Sequence, residues 1–256
     1  MKAKRSELIK EYIIDKQHVS LKELEKEFGV SMNTIRRDIN KILEDPRFEK
    51  VYGGVSVKEN NIISFENRNI KNKDIKKEIA KHAASLIEDD DLIYIDSGTT
   101  TKYILDYLDE DITITILTNN LDVIIKSENF KNVSIFILGN IFKKKTRSFV
   151  GIDPEELINR YNVSKAFMAA TAVSTTHSGL MNSDIMEYEI KKHITEISTD
   201  IYLLVDHTKF DKSTLFTYAP LDIVDKMITD KNFSEKDSQF FNDKQIDIIK
   251  VNNDLH

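Results

Sequence analysis

From residue 74 onward, short runs of β-branched and aromatic residues alternate with helical stretches, and this alternation constrains the fold more tightly than any other feature of the chain. The runs "DLIYID", "ITITILT", "VSIFILG", "KAFMAAT" and "IYLLVD" are β-rich and largely apolar, which suits strands buried on both faces. "KKEIAKHAASLI", "TTKYILDYL" and "LDVIIKSE" instead carry apolar residues at helical spacing. "IVDKMITD" adds a strand near Met227, and the tail "SEKDSQFFNDKQIDIIKVNN" reads as a helix followed by a final strand. The pattern predicts a mostly parallel α/β sheet, covered by helices, over residues 74–256.

The first 57 residues follow a different rule. Leu8, Ile9, Tyr12 and Ile13 define an amphipathic helix ending near Lys16. Ser20 with Glu23 three residues on is a capping-box arrangement for a second helix, which buries Leu21, Leu24 and Phe28 and stops at Gly29. Ser31 then caps a third helix with Ile35, Ile39, Ile42 and Leu43 on its apolar face. Asn33, Arg36, Arg37 and Asn40 project largely away from that face. "FEKVYGGVSV" reads as two strands around the glycine pair Gly53 and Gly54. Three helices and a glycine-tipped hairpin make a winged helix-turn-helix. In that architecture the third helix enters the DNA major groove and the hairpin touches the flanking backbone. Residues 58–73, polar and without a regular period, are the expected linker.

Charge supports this division without proving it. The formal net charge of the whole chain is -6, yet residues 1–57 hold 12 Lys and Arg against 10 Asp and Glu, whereas the remainder holds 25 against 33. A basic excess that small argues for nucleic acid only through where the cations sit. With 0 cysteines, the chain offers no disulfide framework, thiolate metal site or cysteine nucleophile. The charged N-terminal stretch "MKAKRSELIKEYIIDK" is unlike a signal peptide, and no apolar run approaches the ~18 residues of a membrane span, so a cytoplasmic protein without membrane partners is expected.

Two stretches carry the chemistry. At the start of the third helix, Ser31, Asn33 and Thr34 can bond phosphates or base edges, and Arg36 or Arg37 can offer guanine a bidentate fork. Which arginine reads bases is open, and pairing of one with Asp38 or Glu44 is the competing arrangement. In the body, "IYIDSGTTTKYIL" runs a strand through Asp96 into Ser97, Gly98, Thr99 and Thr100, a turn whose backbone N–H groups suit an anion. Further polar residues follow other strands: Thr118, Asn119 and Asn120; Gly139 and Asn140; Thr171; Asp206, His207 and Lys209. Ligands of open α/β sheets bind outside that edge, and the convergence points to a phosphorylated polar ligand. His207 lacks a paired His-Glu spacing, so no metal or cofactor is expected.

"VSMNTIRRDINKI" followed by "KVYGGV" resembles the recognition helix and wing of the DeoR family of bacterial transcriptional regulators. "DSGTTT", "LTNN", "LGN", "FVG", "KAFMAATAVSTTHSGL", "MEYEIKKHI" and "VDHTKF" resemble, in order, that family's effector domain, whose fold is similar to ribose-5-phosphate isomerase. The resemblance implies DNA contacts at Ser31, Asn33, Thr34, Arg36, Arg37, Lys50, Tyr52, Gly53 and Gly54. It implies that Gly98, Thr99 and Thr100 hold a sugar phosphate, that Asp96 and Asn120 face its hydroxyls, that Lys209 adds positive charge, and that Glu187 rather than Glu189 belongs to the effector region. The chain departs from the family at Tyr52, at Asn140, where a second glycine is usual, and at Ala172 of "ATAVS", where "ATGIS" is usual. The expected function is a repressor of sugar or sugar-alcohol metabolism genes, acting as a homodimer or homotetramer on a double-stranded operator. The alternative is a sugar-phosphate isomerase with an accessory DNA-binding domain. That enzyme needs a general base on a glycine-rich segment, and "TAVSTTHSGLMNSD" lacks the multiple glycines.

Overall fold

The computed structural model describes residues 2–16, 18–45, 48–51, 53–57, 65–155, 160–175, 179–210 and 212–252. The chain divides into two compact units, residues 1–62 and 63–256.

In the first unit, α1 (Lys2–Lys16), α2 (Leu21–Phe28) and α3 (Met32–Ile42) pack beside a three-stranded antiparallel sheet. Its strands are β1 (His18–Ser20), β2 (Phe48–Val51) and β3 (Gly54–Val57), in the order β1-β3-β2. The β1 strand is absent from the sequence reading, which sees only a helix start there. Ser20 does both jobs, pairing with Gly54 across the sheet while its hydroxyl accepts the Glu23 N–H at 3.2 Å. Ile9, Ile13, Leu24, Ile35, Ile39 and Ile42 from the helices meet Val19, Phe48 and Val55 from the sheet in one buried core. Gly54 permits the close crossing of β1, because a Cβ there would lie 2.3 Å from the Val19 carbonyl oxygen.

The second unit opens with α4 (Phe65–Ile70) and α5 (Lys73–Ala84). The linker expectation is corrected here: residues 58–64 lie outside the described residues, but 65–70 are helical and anchored by the buried Phe65. One aromatic in a run of Asn and Lys gives no period to read, which is why the segment looks irregular in sequence.

A seven-stranded parallel sheet follows, built from β4 (Leu92–Ile95), β5 (Ile114–Thr118), β6 (Val133–Ile137), β9 (Val163–Met168), β12 (Ser198–Leu204), β14 (Lys226–Thr229) and β15 (Asp247–Lys250). The order is β15-β14-β12-β9-β4-β5-β6. One hydrophobic core lies on each face, with Tyr94, Ala166 and Leu203 on one side and Ile93, Ile95 and Phe167 on the other. The stretch after β4, expected as an ordinary helix, is a 3-10 helix over Thr101–Tyr107. The remaining helices of this unit are α6 (Leu121–Ser127), α7 (Ile185–Ile197) and α8 (Glu235–Asp243).

Two antiparallel additions do not show in the periodicity. One is the hairpin β7 (Ile141–Lys143) and β8 (Ser148–Val150); the other is the sheet β10 (Ala172–Ser174), β11 (Gly179–Asn182) and β13 (Phe216–Pro220). From β4 the chain lays β5 and β6 to one side, then returns to place β9 and β12 on the other. The reversal opens a crevice between the C-terminal ends of β4 and β9, where ligands of such sheets bind.

Candidate functional site

The head presents its third helix as the sequence reading expects. Asn33, Arg36 and Arg37 are exposed, while Ile35, Ile39 and Ile42 are buried. Ser31 Oγ accepts the Thr34 N–H at 3.4 Å and lies 3.0 Å from Thr34 Oγ1, so the two hydroxyls fix the first turn together. Asp38 does not pair with either recognition arginine. It is buried against α1, where Arg5 Nε donates to its Oδ2 at 2.8 Å. Among the described residues Arg36 and Arg37 have no ion-pair partner, so both guanidiniums are available to phosphate or guanine. Lys50 is exposed on β2, and Gly53 sits at the hairpin tip with φ +75. The Gly53 carbonyl accepts the Leu21 N–H at 3.0 Å, which ties the wing to the start of α2. Tyr52 lies outside the described residues.

In the body, the crevice is a narrow recess open to solvent on one side. Ser97, Gly98, Thr99 and Thr100 line it from the end of β4, Ala169, Ala170 and Thr171 from the end of β9, and Leu204 and Lys209 from the end of β12. Asn182, Glu187 and Lys191 close one wall, and Phe65 and Arg68 of α4 another. The turn after β4 is held by Thr101, whose hydroxyl donates to the Asp96 carbonyl at 2.6 Å and receives the Gly98 N–H at 3.1 Å. The backbone N–H groups of Thr99 and Thr100 meet no protein acceptor among the described residues. Gly98 cannot carry a side chain, since its Cβ would come within 2.4 Å of the Ala169 Cβ.

Cations dominate the opening. Burial pulls Lys209 down to about 8 against the opposing attraction of Asp206, and pulls Lys76 down to about 8 as well. Burial also lowers Arg68, opposed by Glu187, and Arg68 Nε is buried without a hydrogen-bond partner. Lys76 spends its ammonium on the carbonyls of Arg68 and, at 2.8 Å, Lys71, which pins the C-terminal end of α4. An anion in the recess would relieve the desolvation of Arg68 and Lys209 together.

The opposite wall is suited to hydroxyl groups. Glu187 accepts from Ser148 Oγ at 3.1 Å and Asn182 Nδ2 at 3.2 Å, and Thr171 Oγ1 donates to Asn182 Oδ1 at 3.1 Å. Glu189, two residues on, is not part of the lining.

Several residues expected in the pocket stand behind it instead. Asp96 is not free to face a ligand. Its carboxylate pairs with Lys191 and accepts the N–H groups of Ser97 and Ala169, each at 2.8 Å. Asn120 caps α6 through the Asp122 N–H at 2.9 Å and donates to the Asp96 carbonyl at 3.1 Å. Thr118 donates to the Ile95 carbonyl at 2.6 Å, and Asn119 accepts from Tyr94 Oη at 2.9 Å. Asp206 caps the turn His207–Lys209 by accepting the Thr208 N–H at 2.9 Å. Although burial acts to raise it, Lys209, Thr208 and Lys76 hold its carboxylate below the ordinary range. All five brace the lining rather than form it. Arg68, Asn182 and Lys191 were missed in the sequence. Only Lys191 left a signal there, four residues after Glu187 and so on the same helix face. No cluster of His, Cys, Asp and Glu that could hold a metal ion occurs among the described residues.

A winged head with an outward arginine helix, in one chain with an α/β body, defines a DNA-binding transcriptional regulator. The chain matches a DeoR-like helix-turn-helix domain over residues 5–61 and the DeoR C terminal sensor domain over residues 71–231. It is 51% identical to the HTH-type transcriptional regulator IolR of Bacillus subtilis (strain 168) across 97% of this chain and 99% of that protein. It is 28% identical to the L-fucose operon activator of Haemophilus influenzae, over 96% and 98% of the two chains. The glycerol-3-phosphate regulon repressor of Escherichia coli (strain K12) is 26% identical over 86% and 87%. The chain therefore belongs to the DeoR family of transcriptional regulators. It is a regulator and not an isomerase. The ribose 5-phosphate isomerase A of Methanocaldococcus jannaschii shares 19% identity over 55% of each chain, with a TM-score of 0.40, a likeness too slight to argue from. Among the described residues no helix is long and apolar enough to cross a membrane.

Proposed function

We propose that this regulator represses genes of sugar or sugar-alcohol metabolism and that a phosphorylated sugar, held in the recess of the sensor domain, controls its grip on operator DNA. The observation that carries the ligand class is the pair of cations, the half-buried Arg68 with its buried Nε and the buried Lys209, beside the hydroxyl-rich turn Ser97–Thr100 and opposite the Glu187–Asn182 wall. Phosphate fits the cationic end and sugar hydroxyls fit the carboxylate end. Relatives named for L-fucose and glycerol-3-phosphate regulation support a carbohydrate-linked role.

The protein acts as a homo-oligomer that presents paired recognition helices to a repeated or palindromic site. Switching a DNA-competent population from 99:1 to 1:99 requires the effector to prefer the other state by about 5.5 kcal/mol. Isothermal titration of the full chain with hexose and pentose phosphates, beside the same sugars without phosphate, tests the ligand class. Heat from at least one phosphorylated sugar and none from its unphosphorylated partner is the expected result. Equal binding of the two forms overturns it.

A further inference from the structure

The wall of the recess that α4 supplies is held differently from the strand ends around it. A helix of six residues closes few i→i−4 bonds of its own and falls well short of the ~12–15 residues at which an isolated helix becomes even marginal, so α4 stands by its packing. Phe65 is buried, and the Arg68 guanidinium lies 5.7 Å from its ring centroid, so the two residues share the helix face turned to the recess. On this helix Arg68 Nε and its neighbour Asn69 Oδ1 are each buried without a hydrogen-bond partner. Orphaned groups of this kind weaken the element that carries them until something pairs with them.

The C-terminal end of α4 is firmly fastened. Lys76 of α5, 1% exposed, gives its ammonium to the carbonyls of Arg68 and, at 2.8 Å, Lys71. Asn72, which turns the chain from α4 into α5 at φ 55, donates from Nδ2 to Asp206 Oδ1 at 3.5 Å. Asp206 also feels the charge of Lys209, the recess cation, so the anchor of α4 and the cationic end of the recess share one carboxylate. At the other end of α4, residues 58–64 separate Phe65 from β3 of the DNA-binding unit.

We propose that α4 is the element that reports recess occupancy to the DNA-binding unit. The proposal deepens the phosphorylated-effector reading above and rests on it. A phosphate that accepts from Arg68 while resting on the turn Ser97–Thr100 supplies the partner that Arg68 Nε lacks and ties α4 to the end of β4. Anchored at its C-terminal end and then held along its recess face, α4 fixes where the chain leaves the sensor domain toward the head. Without the anion, α4 rests on Phe65 and the Lys76 anchor. The coupling is reciprocal, so anion and operator change each other's affinity by the same factor. Lys76 is a positioning residue, since it lies outside the lining and acts by keeping Arg68 in reach of the anion.

Hydrogen exchange of the full chain, read by mass spectrometry, tests this beside operator binding. The probes are inorganic phosphate and the hexose and pentose phosphates of the titration above, at matched ionic strength. At least one probe is expected to slow exchange threefold or more in α4 as well as in the turn 97–101, and to shift operator affinity threefold or more. Arg68→Met removes a group whose Nε has no partner, so the fold is expected to survive. The probe should then still protect the turn, through Lys209 and the Thr99 and Thr100 N–H groups, and leave α4 and operator affinity unmoved. Lys76→Met, checked for folding by circular dichroism, is expected to speed α4 exchange at least tenfold and to abolish the operator response while turn protection remains. A merely structural lysine would lower the thermal midpoint and leave that response in place. Protection of the turn without α4 in wild type overturns the reporting role and leaves the effector reading intact. Protection of α4 with operator affinity unmoved overturns the link to the DNA-binding unit, as does a response that survives either substitution. Probes that protect neither segment overturn the effector reading and this proposal with it.

Discussion

Lys191 and Asp96 form an ion pair in the interior of the sensor domain, with the Lys191 ammonium also donating to the Ala169 carbonyl at 3.0 Å. The pair joins α7 to the ends of β4 and β9, the two strands that flank the recess. Removing one partner leaves a buried charge without its counterpart, so Lys191→Met is expected to cost about 3–5 kcal/mol of stability. Adding Asp96→Asn is expected to recover part of that loss. Urea unfolding of the two single variants and the double variant measures it. Additive losses would show that the pair does not couple.

Arg36 and Arg37 stand exposed on α3 with no ion-pair partner among the described residues, so their removal is expected to leave the fold alone. Arg36→Ala or Arg37→Ala is expected to weaken operator binding, by about 1–3 kcal/mol where the arginine reads a guanine. An arginine that contacts phosphate would instead lower the salt slope of log Kobs by roughly 1. Fluorescence anisotropy across a salt series separates the two roles, and undiminished affinity in both variants removes the recognition-helix assignment.

The buried lysines are expected to tie effector binding to pH. Lys209 and Lys76 carry their charges below about 8 and lose them above it. A sugar phosphate is already doubly ionised from pH 7 upward, with its second pKa at about 6. Effector affinity is therefore expected to fall as pH rises from ~7 to ~9, and the slope to shrink in Lys209→Met. Stability moves the other way. Both groups sit below the 10.5 of a free lysine, so the unfolded chain holds more protons between about 8 and 10.5, and their contribution to stability rises with pH through that window. Comparing urea midpoints of wild type and Lys209→Met across this range isolates the Lys209 share.

Gly98 is the tightest point of the turn after β4. A methyl group there meets the Ala169 Cβ at 2.4 Å, so Gly98→Ala must push β4 and β9 apart or distort the turn. A loss of about 1–3 kcal/mol is expected, together with loss of the effector response. Thr99→Val keeps the shape and removes one hydroxyl, and is expected to weaken binding without lowering the thermal midpoint.

The parallel sheet was legible because buried strands and amphipathic helices leave different periods in sequence, and the arginine helix because a capped, isoleucine-striped segment can point Arg36 and Arg37 only outward. Short antiparallel pieces such as β1 and β10 were not legible, since three residues set no period, and β1 in addition finds its partner β3 far along the chain. Within the recess the sequence located the turn Ser97–Thr100, Thr171, Glu187 and Lys209. It could not tell lining from bracing. Asp96, Thr118, Asn119 and Asn120 follow strands as ligand-binding residues do, yet their polar atoms are engaged by the neighbouring backbone and side chains. Arg68 escaped notice because a single cation in a polar run shows its burial only once α4 is folded.

The recess and the arginine helix are expected to act as one switch, and a mobility-shift titration on the protein's own upstream DNA tests this most directly. Run with and without a panel of hexose and pentose phosphates, it should show a specific complex whose midpoint moves at least tenfold with one sugar phosphate in wild type and stays fixed in Lys209→Met. A specific complex that ignores every sugar phosphate would contradict the effector assignment, and no complex at all would contradict the DNA-binding head as placed here.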